Sequence, residues 1–197
     1  MEIGQRHGRA VGAALALALS SLLYLACGGS GAAPSASRPA ASATTGRPVS
    51  TEDYAATAAD FRSLKTMTKV RGFFVDNRRG HLAAAVAIAK ANTGGVYPVG
   101  TILQLVPQEA MVKRRAGWNA ATNDWEFFFL DVTKAGATIL TRGADEVVNR
   151  FGGNCASCHA AAEPKFDFVC EHAHGCEELP ISDKVIATIQ EADPRSH

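Results

Sequence analysis

Apolar side chains recur with two different periods along this chain, which predicts helices before residue 100 and mainly strands after it. In residues 51–69 large apolar residues recur at helical spacing, and residues 50–53 in front of them resemble a capping box, so we expect a helix there. Residues 79–92 are rich in Ala, carry apolar side chains on one face and end in Thr-Gly-Gly at residues 93–95. This pattern predicts a second helix with a glycine stop.

The period shortens to two from Gly100 onward, as expected of strands that are separated by Pro, Gly and Asn-Asp turn signals. The strands are predicted at residues 101–106, 109–115, 124–133 and 137–140. Residues 72–75 resemble one further short strand, ahead of the second helix. The predicted fold class is therefore α+β, an antiparallel β-sheet meander with flanking helices.

The third of these four strands is apolar on both of its faces. Trp125, Phe127 and Phe129 share one face, and Phe128, Leu130 and Val132 share the other. A strand with this pattern is buried on both sides. Two interpretations of the aromatic cluster stay open: it is ordinary core, or one of its faces is the wall of a cofactor pocket.

The first 50 residues are unlike the rest of the chain and predict export. Arg6 and Arg9 precede a continuous run of apolar and small residues at positions 10–26, as in a signal peptide. Cys27 follows directly, as in a bacterial lipobox, where the Cys is lipidated and becomes the first mature residue. Ordinary signal cleavage is the alternative. We expect residues 1–26 to be a signal peptide and the mature protein to lie in the periplasm or cell envelope, anchored to the membrane by lipid at Cys27.

Residues 27–50 consist mainly of Gly, Ala, Ser, Thr and Pro, which predicts a flexible linker because such a segment buries too little apolar surface to fold. Residues 51–197 then form one domain. Removing residues 1–26 takes away two of the 20 basic residues and one of the 19 acidic ones, which leaves the two signs equal. A neutral domain gives no electrostatic reason to expect nucleic acid as a partner.

The sequence Cys155-Ala156-Ser157-Cys158-His159 is the attachment motif of a c-type haem. Two thiols one helical turn apart reach the two vinyl groups of one porphyrin, and the adjacent His faces the iron as proximal ligand. A thioredoxin-type redox motif would lie at the start of a βαβ unit, which the sequence lacks. A zinc site remains an alternative, with Cys170, His172, His174 and Cys176 completing the ligands.

The late position of the motif argues against an all-helical electron-transfer cytochrome. That class carries the motif near its N-terminus and a Met ligand well downstream, whereas only 38 residues follow His159 here and none of them is Met. The sixth position of the iron is thus predicted to be open, or filled by water, His81, His172 or His174.

Cys170 and Cys176 are the remaining pair of cysteines in the domain. In an oxidising compartment two cysteines at this separation most simply form a disulfide that closes residues 171–175 into a loop. The alternative is a metal site in which His172 and His174 join them.

Four segments of the chain resemble cytochrome P-460 and its relative cytochrome c′-beta. They are Val70-Arg71-Gly72-Phe73-Phe74-Val75-Asp76-Asn77, Gly100-Thr101, Asn123-Asp124-Trp125-Glu126-Phe127-Phe128-Phe129, and the haem motif followed by Asp167-Phe168-Val169. The resemblance covers about residues 54–180. It implies a periplasmic mono-haem protein with a large antiparallel sheet, helices and a late haem motif, and it implies a homodimer.

Carried over by position, the resemblance implies that Cys155 and Cys158 form thioethers with haem c and that His159 is the proximal ligand. It implies that Arg71 lies in the distal pocket, where it would hydrogen-bond a bound anion or NO and stabilise developing charge in an enzyme. The alternative for Arg71 is a surface ion pair.

The chain departs from the family at one functional position. Enzymatic cytochrome P-460 carries a Lys that is cross-linked to the porphyrin five residues after the Gly of the Gly-Thr strand start, and counting from Gly100 leads to Leu105. The nearest downstream Lys is Lys113. The departure favours a pocket like that of cytochrome c′-beta, in which Phe73, Leu105 or Phe127 would crowd the distal side.

We therefore expect an exported c-type cytochrome that binds NO or another small gaseous or nitrogenous ligand. A haem enzyme that oxidises hydroxylamine or NO is the first alternative, and an electron-transfer cytochrome with an unidentified redox partner protein is the second.

Overall fold

The computed structural model describes residues 52–196, which form an antiparallel β-sheet with short helices. The strands are β1 (Thr68–Val70), β2 (Phe73–Asn77), β3 (Thr101–Gln104), β4 (Glu109–Lys113), β5 (Trp125–Thr133) and β6 (Gly136–Gly143). The α-helices are α1 (Leu82–Lys90), α2 (Cys155–His159) and α3 (Asp183–Glu191), and single 3₁₀ turns lie at Ala58–Asp60, Leu64–Thr66, Ala120–Thr122 and Pro164–Phe166.

The six strands lie in the sheet in the order in which they occur along the chain, and each pairs antiparallel with the next. This meander confirms the predicted α+β fold class. All five predicted strands are present, and the structure adds the short strand β1, which is joined to β2 by the turn at Arg71 and Gly72.

Alternation along the strands gives the sheet two apolar faces. The first face carries Val75, Leu103, Met111, Trp125 and Phe127, and it packs against α1 and the segment around α2. The second face is covered by the chain that precedes β1, and its core residues are Ala56, Phe61, Ile102, Ala110, Val112, Phe128 and Leu130. The prediction that β5 is buried on both sides is confirmed, because neighbouring residues of this strand enter both cores.

The predicted helix at residues 51–69 is wrong within the described range. Residues 52–67 run across the second face with two 3₁₀ turns instead, and β1 follows. Ala56 and Phe61 bury in that face, and the side chain of Asp193 accepts a hydrogen bond from the backbone of Leu64 at 2.8 Å. These contacts with the sheet and the C-terminal segment override a helical pattern that is too weak to hold a helix by itself.

The predicted helix at residues 79–92 is present as α1, with bounds shorter by a few residues. The predicted glycine stop is wrong, because the helix has already ended at Ala91, whose backbone is extended. Gly94 has φ +72, and a Cβ at this position would lie 2.0 Å from the carbonyl oxygen of Lys165. Glycine is therefore needed here for the close approach of the chain after α1 to the segment around Lys165.

Helix α3 was not predicted from the sequence. It begins after Ser182, buries Ile186 and Gln190, and fixes the end of the sheet where β1, β2 and β3 meet. The side-chain amide of Gln190 donates to the carbonyls of Gly72 and Leu105 at 2.7 and 2.8 Å. Among residues 52–196, no helix is both long and apolar enough to cross a membrane.

Candidate haem attachment site

The motif residues form the one-turn helix α2 directly beside the first face of the sheet. Asn154 caps the helix, because its side-chain oxygen accepts a hydrogen bond from the backbone of Ser157 at 2.9 Å. The backbone of Cys155 donates to Val147 at 3.0 Å, which fixes the start of the helix. Cys155 is half-buried and Cys158 is exposed, and both thiols are free. The two sulfur atoms are thus carried one helical turn apart, as attachment to one porphyrin requires.

His159 is held in the state that a haem ligand requires. Its Nδ1 lies 2.9 Å from the carbonyl oxygen of Phe168, to which it donates in the neutral tautomer. Burial lowers the pKa of the imidazole, and the Phe168 carbonyl opposes this effect only partly. The neutral ring therefore keeps the lone pair on Nε2, which makes no hydrogen bond with any described residue. A proximal ligand whose other nitrogen donates to a carbonyl is oriented by that bond.

Apolar side chains from several parts of the chain pack against the same core as Cys155 of the motif. Leu105, Phe129, Cys155 and Phe168 are partly buried and pack against the core from four separate parts of the chain. Such a margin fits the apolar body of a porphyrin, which would cover side chains that water now reaches. The residues present thus fit a covalently attached haem, with one imidazole for its iron.

The state of Cys155 disfavours the redox alternative. Burial, followed by the charge of Glu109, raises the pKa of its thiol to about 12, so the thiol is protonated at neutral pH. Reactive thiols of C-x-x-C redox motifs and thiol ligands of metals are deprotonated and have low pKa values. Cys155, the first Cys of this motif, has a raised pKa instead.

The zinc alternative also lacks the second pair of thiol ligands that it requires. Cys170 and Cys176 are joined in a disulfide, with their Cα atoms 5.7 Å apart, so neither sulfur is available as a thiolate. Within residues 52–196 no group of three or more His, Cys, Asp or Glu side chains is arranged to hold a metal ion. A haem iron differs in this respect because the protein needs to supply only one ligand.

The structure brings Phe73, Leu105 and Phe127 to the first face together with the motif. Phe74 pairs with Gln104, which places Phe73 beside Leu105 one step further along the same register. The ring of Phe127 meets the imidazole of His159 edge-on, with 5.1 Å between centroids. Phe127 therefore contacts the candidate iron ligand directly, and its expected place on the distal side stays a prediction.

Arg71 forms an ion pair, which was the alternative to its expected place in the distal pocket. Arg71 lies in the β1–β2 turn, and its guanidinium contacts both carboxylate oxygens of Glu171 and donates to the carbonyl of Ala89 at 2.6 Å. Its side chain is 43% exposed. The guanidinium is thus engaged at three acceptors, and the expected distal role of Arg71 stays a prediction.

Lys113, the possible cross-linking lysine, and two of the three candidate His ligands have side-chain partners in the fold. Lys113 lies 2.6 Å from the carboxylate of Asp167 and donates to the carbonyl of Asn123 at 2.7 Å. His174 stacks on Phe166 and its Nδ1 lies 2.8 Å from the carbonyl of Val169, while the exposed His172 lies 3.5 Å from Asp183. His81 directly precedes α1, and its backbone donates to the side-chain oxygen of Asn77.

Two residues of this region were missed by the sequence analysis. Asp167 is 1% exposed and accepts hydrogen bonds from three separate parts of the chain. Glu109 begins β4 on the motif side of the sheet, where burial raises the pKa of its carboxyl and the backbone of Arg150 donates to it at 3.2 Å. Nothing in their local sequence separates them from surface carboxylates, because their burial depends on residues that are distant along the chain.

The geometry stands without support from known proteins, since no protein-family model, curated protein or solved structure matches this chain. Cys27, the signal peptide and the linker lie outside the described residues. These comparisons do not test the haem, its ligand, the export or the resemblance to cytochrome P-460, all of which stay proposals.

Proposed function

We propose that this chain is an exported mono-haem c-type protein that binds NO or a similar small ligand at its iron. The observation that carries the proposal is the position of the His159 imidazole, whose Nδ1 is 2.9 Å from the Phe168 carbonyl, next to two free thiols one helical turn apart. The resemblance to cytochrome P-460 and cytochrome c′-beta supports the same assignment.

Each group of the site has a defined task in this proposal. Cys155 and Cys158 hold the haem through thioether bonds, and Nε2 of His159 binds the iron. The haem, when bound, supplies an iron whose sixth position takes the ligand. Leu105 and Phe73 provide an apolar surface beside it, which favours small uncharged ligands over water and anions.

The enzyme alternative is not favoured by the described residues. Leu105 stands where the cross-linking Lys is expected, and the ammonium of Lys113 is held by Asp167 in a pair whose side chains are 6% and 1% exposed. Arg71, which would stabilise developing charge, is paired with Glu171. The proposal therefore takes binding, not oxidation of hydroxylamine, as the function.

The test is expression of the full chain in a host that attaches c-type haem. We expect the wild type to keep its haem after denaturation and to give the pyridine spectrum of a haem with two thioethers. Cys155→Ala and Cys158→Ala should each give low yields of holoprotein with a one-thioether spectrum, and His159→Ala should give little holoprotein. His172→Ala is the matched control, because this imidazole is 72% exposed and should not affect attachment. Wild-type protein that folds without covalent haem would contradict the proposal.

Ligand binding is tested on the same holoprotein. The ferrous form should be high-spin, should bind NO and CO, and should oxidise hydroxylamine slowly or not at all. A peptide map with a lysine–porphyrin adduct would restore the enzyme alternative. A low-spin ferrous spectrum that is lost on substitution of His81, His172 or His174 would indicate electron transfer instead.

A further inference from the structure

The carbonyl that orients His159 belongs to an uncommon backbone segment. Asp167 has φ 54 and Phe168 has φ 68, so two successive residues other than glycine lie in the left-handed region. Such conformations persist where the surrounding structure imposes them, and they concentrate at functional sites. The segment follows the 3₁₀ turn Pro164–Phe166 and directs the Phe168 carbonyl back toward α2.

Asp167 is the residue that fixes this segment to the sheet. Its Oδ1 accepts hydrogen bonds from Lys113 Nζ at 2.6 Å and from the Asn123 side chain at 2.5 Å, and its Oδ2 accepts one from the backbone of Tyr97 at 2.7 Å. Its own carbonyl accepts from Trp125 Nε1 at 2.6 Å. The donors come from β4, from β5 and the turn before it, and from the loop between α1 and β3.

We infer that Asp167 is a positioning residue for the proximal ligand, which it holds through the Phe168 carbonyl. The inference rests on the proposed function, since only a haem gives His159 an iron to bind. The peptide bond between Asp167 and Phe168 is the start of the rotation described by the φ angle of Phe168. The four hydrogen bonds at Asp167 fix the position of this peptide bond, and they therefore constrain the position of the Phe168 carbonyl. That carbonyl in turn determines the rotation of the imidazole and the strength with which Nδ1 donates.

The same network explains the state of Lys113. Its ammonium lies 5.1 Å from the ring centroid of Trp125 and is bound to Asp167 and Asn123. Lys113 and Trp125 pair across β4 and β5, so the donors to the carboxylate and to the carbonyl of Asp167 are neighbours in the sheet. The paired strand residues Lys113 and Trp125 thereby fix the position of Asp167 and its carbonyl on the loop.

The experiment uses holoprotein of the full chain and measures the iron–histidine stretching band of the ferrous state and the reduction potential. Asp167→Asn should shift the band to lower frequency and raise the potential, because a weaker Nδ1 hydrogen bond makes the imidazole a poorer electron donor. Trp125→Phe removes one donor to the Asp167 carbonyl and leaves the carboxylate intact. It should shift both quantities in the same direction by less, and it provides the test if Asp167→Asn does not fold.

Asp193→Asn is the matched control. Asp193 and Arg195 form another buried ion pair, with side chains 0% and 1% exposed, but they bind the chain at Phe61 and Leu64. This variant should lower the melting temperature and leave the band and the potential unchanged. The inference is wrong if the variants at Asp167 and Trp125 behave like this control. A wild type without haem would instead overturn the proposed function itself, and the inference with it.

Discussion

The orientation of His159 depends on a carbonyl that lies nine residues further along the chain. Its ring is held by the Phe168 carbonyl at Nδ1 and by the edge contact with Phe127. Neither partner is adjacent to the motif in sequence. The C-x-x-C-H motif thus supplies the proposed ligand, whereas the tautomer and direction of its imidazole depend on the loop after α2 and on strand β5.

Arg71 allows a direct comparison of a structural and a ligand-binding role. If its task is the ion pair, Arg71→Met and Glu171→Gln should each lower the free energy of unfolding by about 0.5–1 kcal/mol and leave the affinity of the ferrous holoprotein for NO and CO unchanged. Chemical unfolding and ligand titration provide the two measurements. A loss of NO affinity in Arg71→Met alone would return Arg71 to the distal pocket.

Glu109 should make the protein less stable as the pH rises. Burial raises the pKa of its carboxyl above the ordinary value, so the folded state binds more protons than the unfolded state in the window between the two pKa values. The free energy of unfolding therefore falls as the pH rises through that window. Glu109→Gln should be more stable than the wild type at neutral pH and should lose that slope.

Urea unfolding at several pH values measures the effect of Glu109. Glu163→Gln is the control, because the side chain of Glu163 is 50% exposed in its pair with Lys165 and its loss should change stability little. If the wild type gains stability relative to Glu109→Gln as the pH rises through the window, the Glu109 carboxyl is stabilised in its charged form and the prediction is wrong.

At the scale of elements, α2 and the disulfide loop form one structural unit. The Cys170 sulfur lies 3.5 Å from the carbonyl oxygen of Cys158, and the backbone of Glu163 donates to His174 at 2.7 Å. The loop also carries Glu171, which pairs with Arg71 of the β1–β2 turn. A helix of five residues has little stability alone, so these contacts hold it in place.

Removal of the disulfide should therefore destabilise the site. A loop of this size predicts a loss of about 2 kcal/mol for the Cys170→Ser/Cys176→Ser variant, since the unfolded chain is then no longer constrained. Guanidinium unfolding of the holoprotein measures the loss. His172→Ala, in the same loop, should stay within about 0.5 kcal/mol of the wild type. Equal stability of both variants would mean that the disulfide contributes nothing here.

At the scale of the whole molecule, residues 51–197 are preceded by a segment with a different composition. The proposal assigns export to residues 1–26 and attachment at the membrane to Cys27, with residues 27–50 as the linker. This arrangement would hold a neutral domain near a membrane surface, within reach of small molecules that diffuse in the cell envelope.

Cell fractionation tests the proposed location of the protein at the membrane. The wild type should partition with membranes, and Cys27→Ser should release the protein as a soluble form, because a lipid anchor needs the thiol. His172→Ala serves as the control for handling, since it leaves Cys27 intact. Recovery of unmodified wild type in the soluble fraction would remove the lipoprotein interpretation and leave the haem proposal in place.

The meander could be predicted from the sequence because its information is local. Period-two alternation, turn residues and the doubly apolar β5 each depend on neighbouring residues, and the structure has strands at all these places. The pairing of Cys170 with Cys176 could be predicted for the same reason, because the two residues are close in sequence.

Only the tertiary structure decided which partner each polar group meets. The sequence gives no sign that Arg71 contacts Glu171, that Lys113 is bound by Asp167, or that Phe127 supports His159. It also predicted a helix where residues 52–67 cross the second face, because a weak local pattern does not reveal the sheet that overrides it. Long-range contacts of this kind form only when the strands are assembled, so their pairing is a property of the fold and not of any segment.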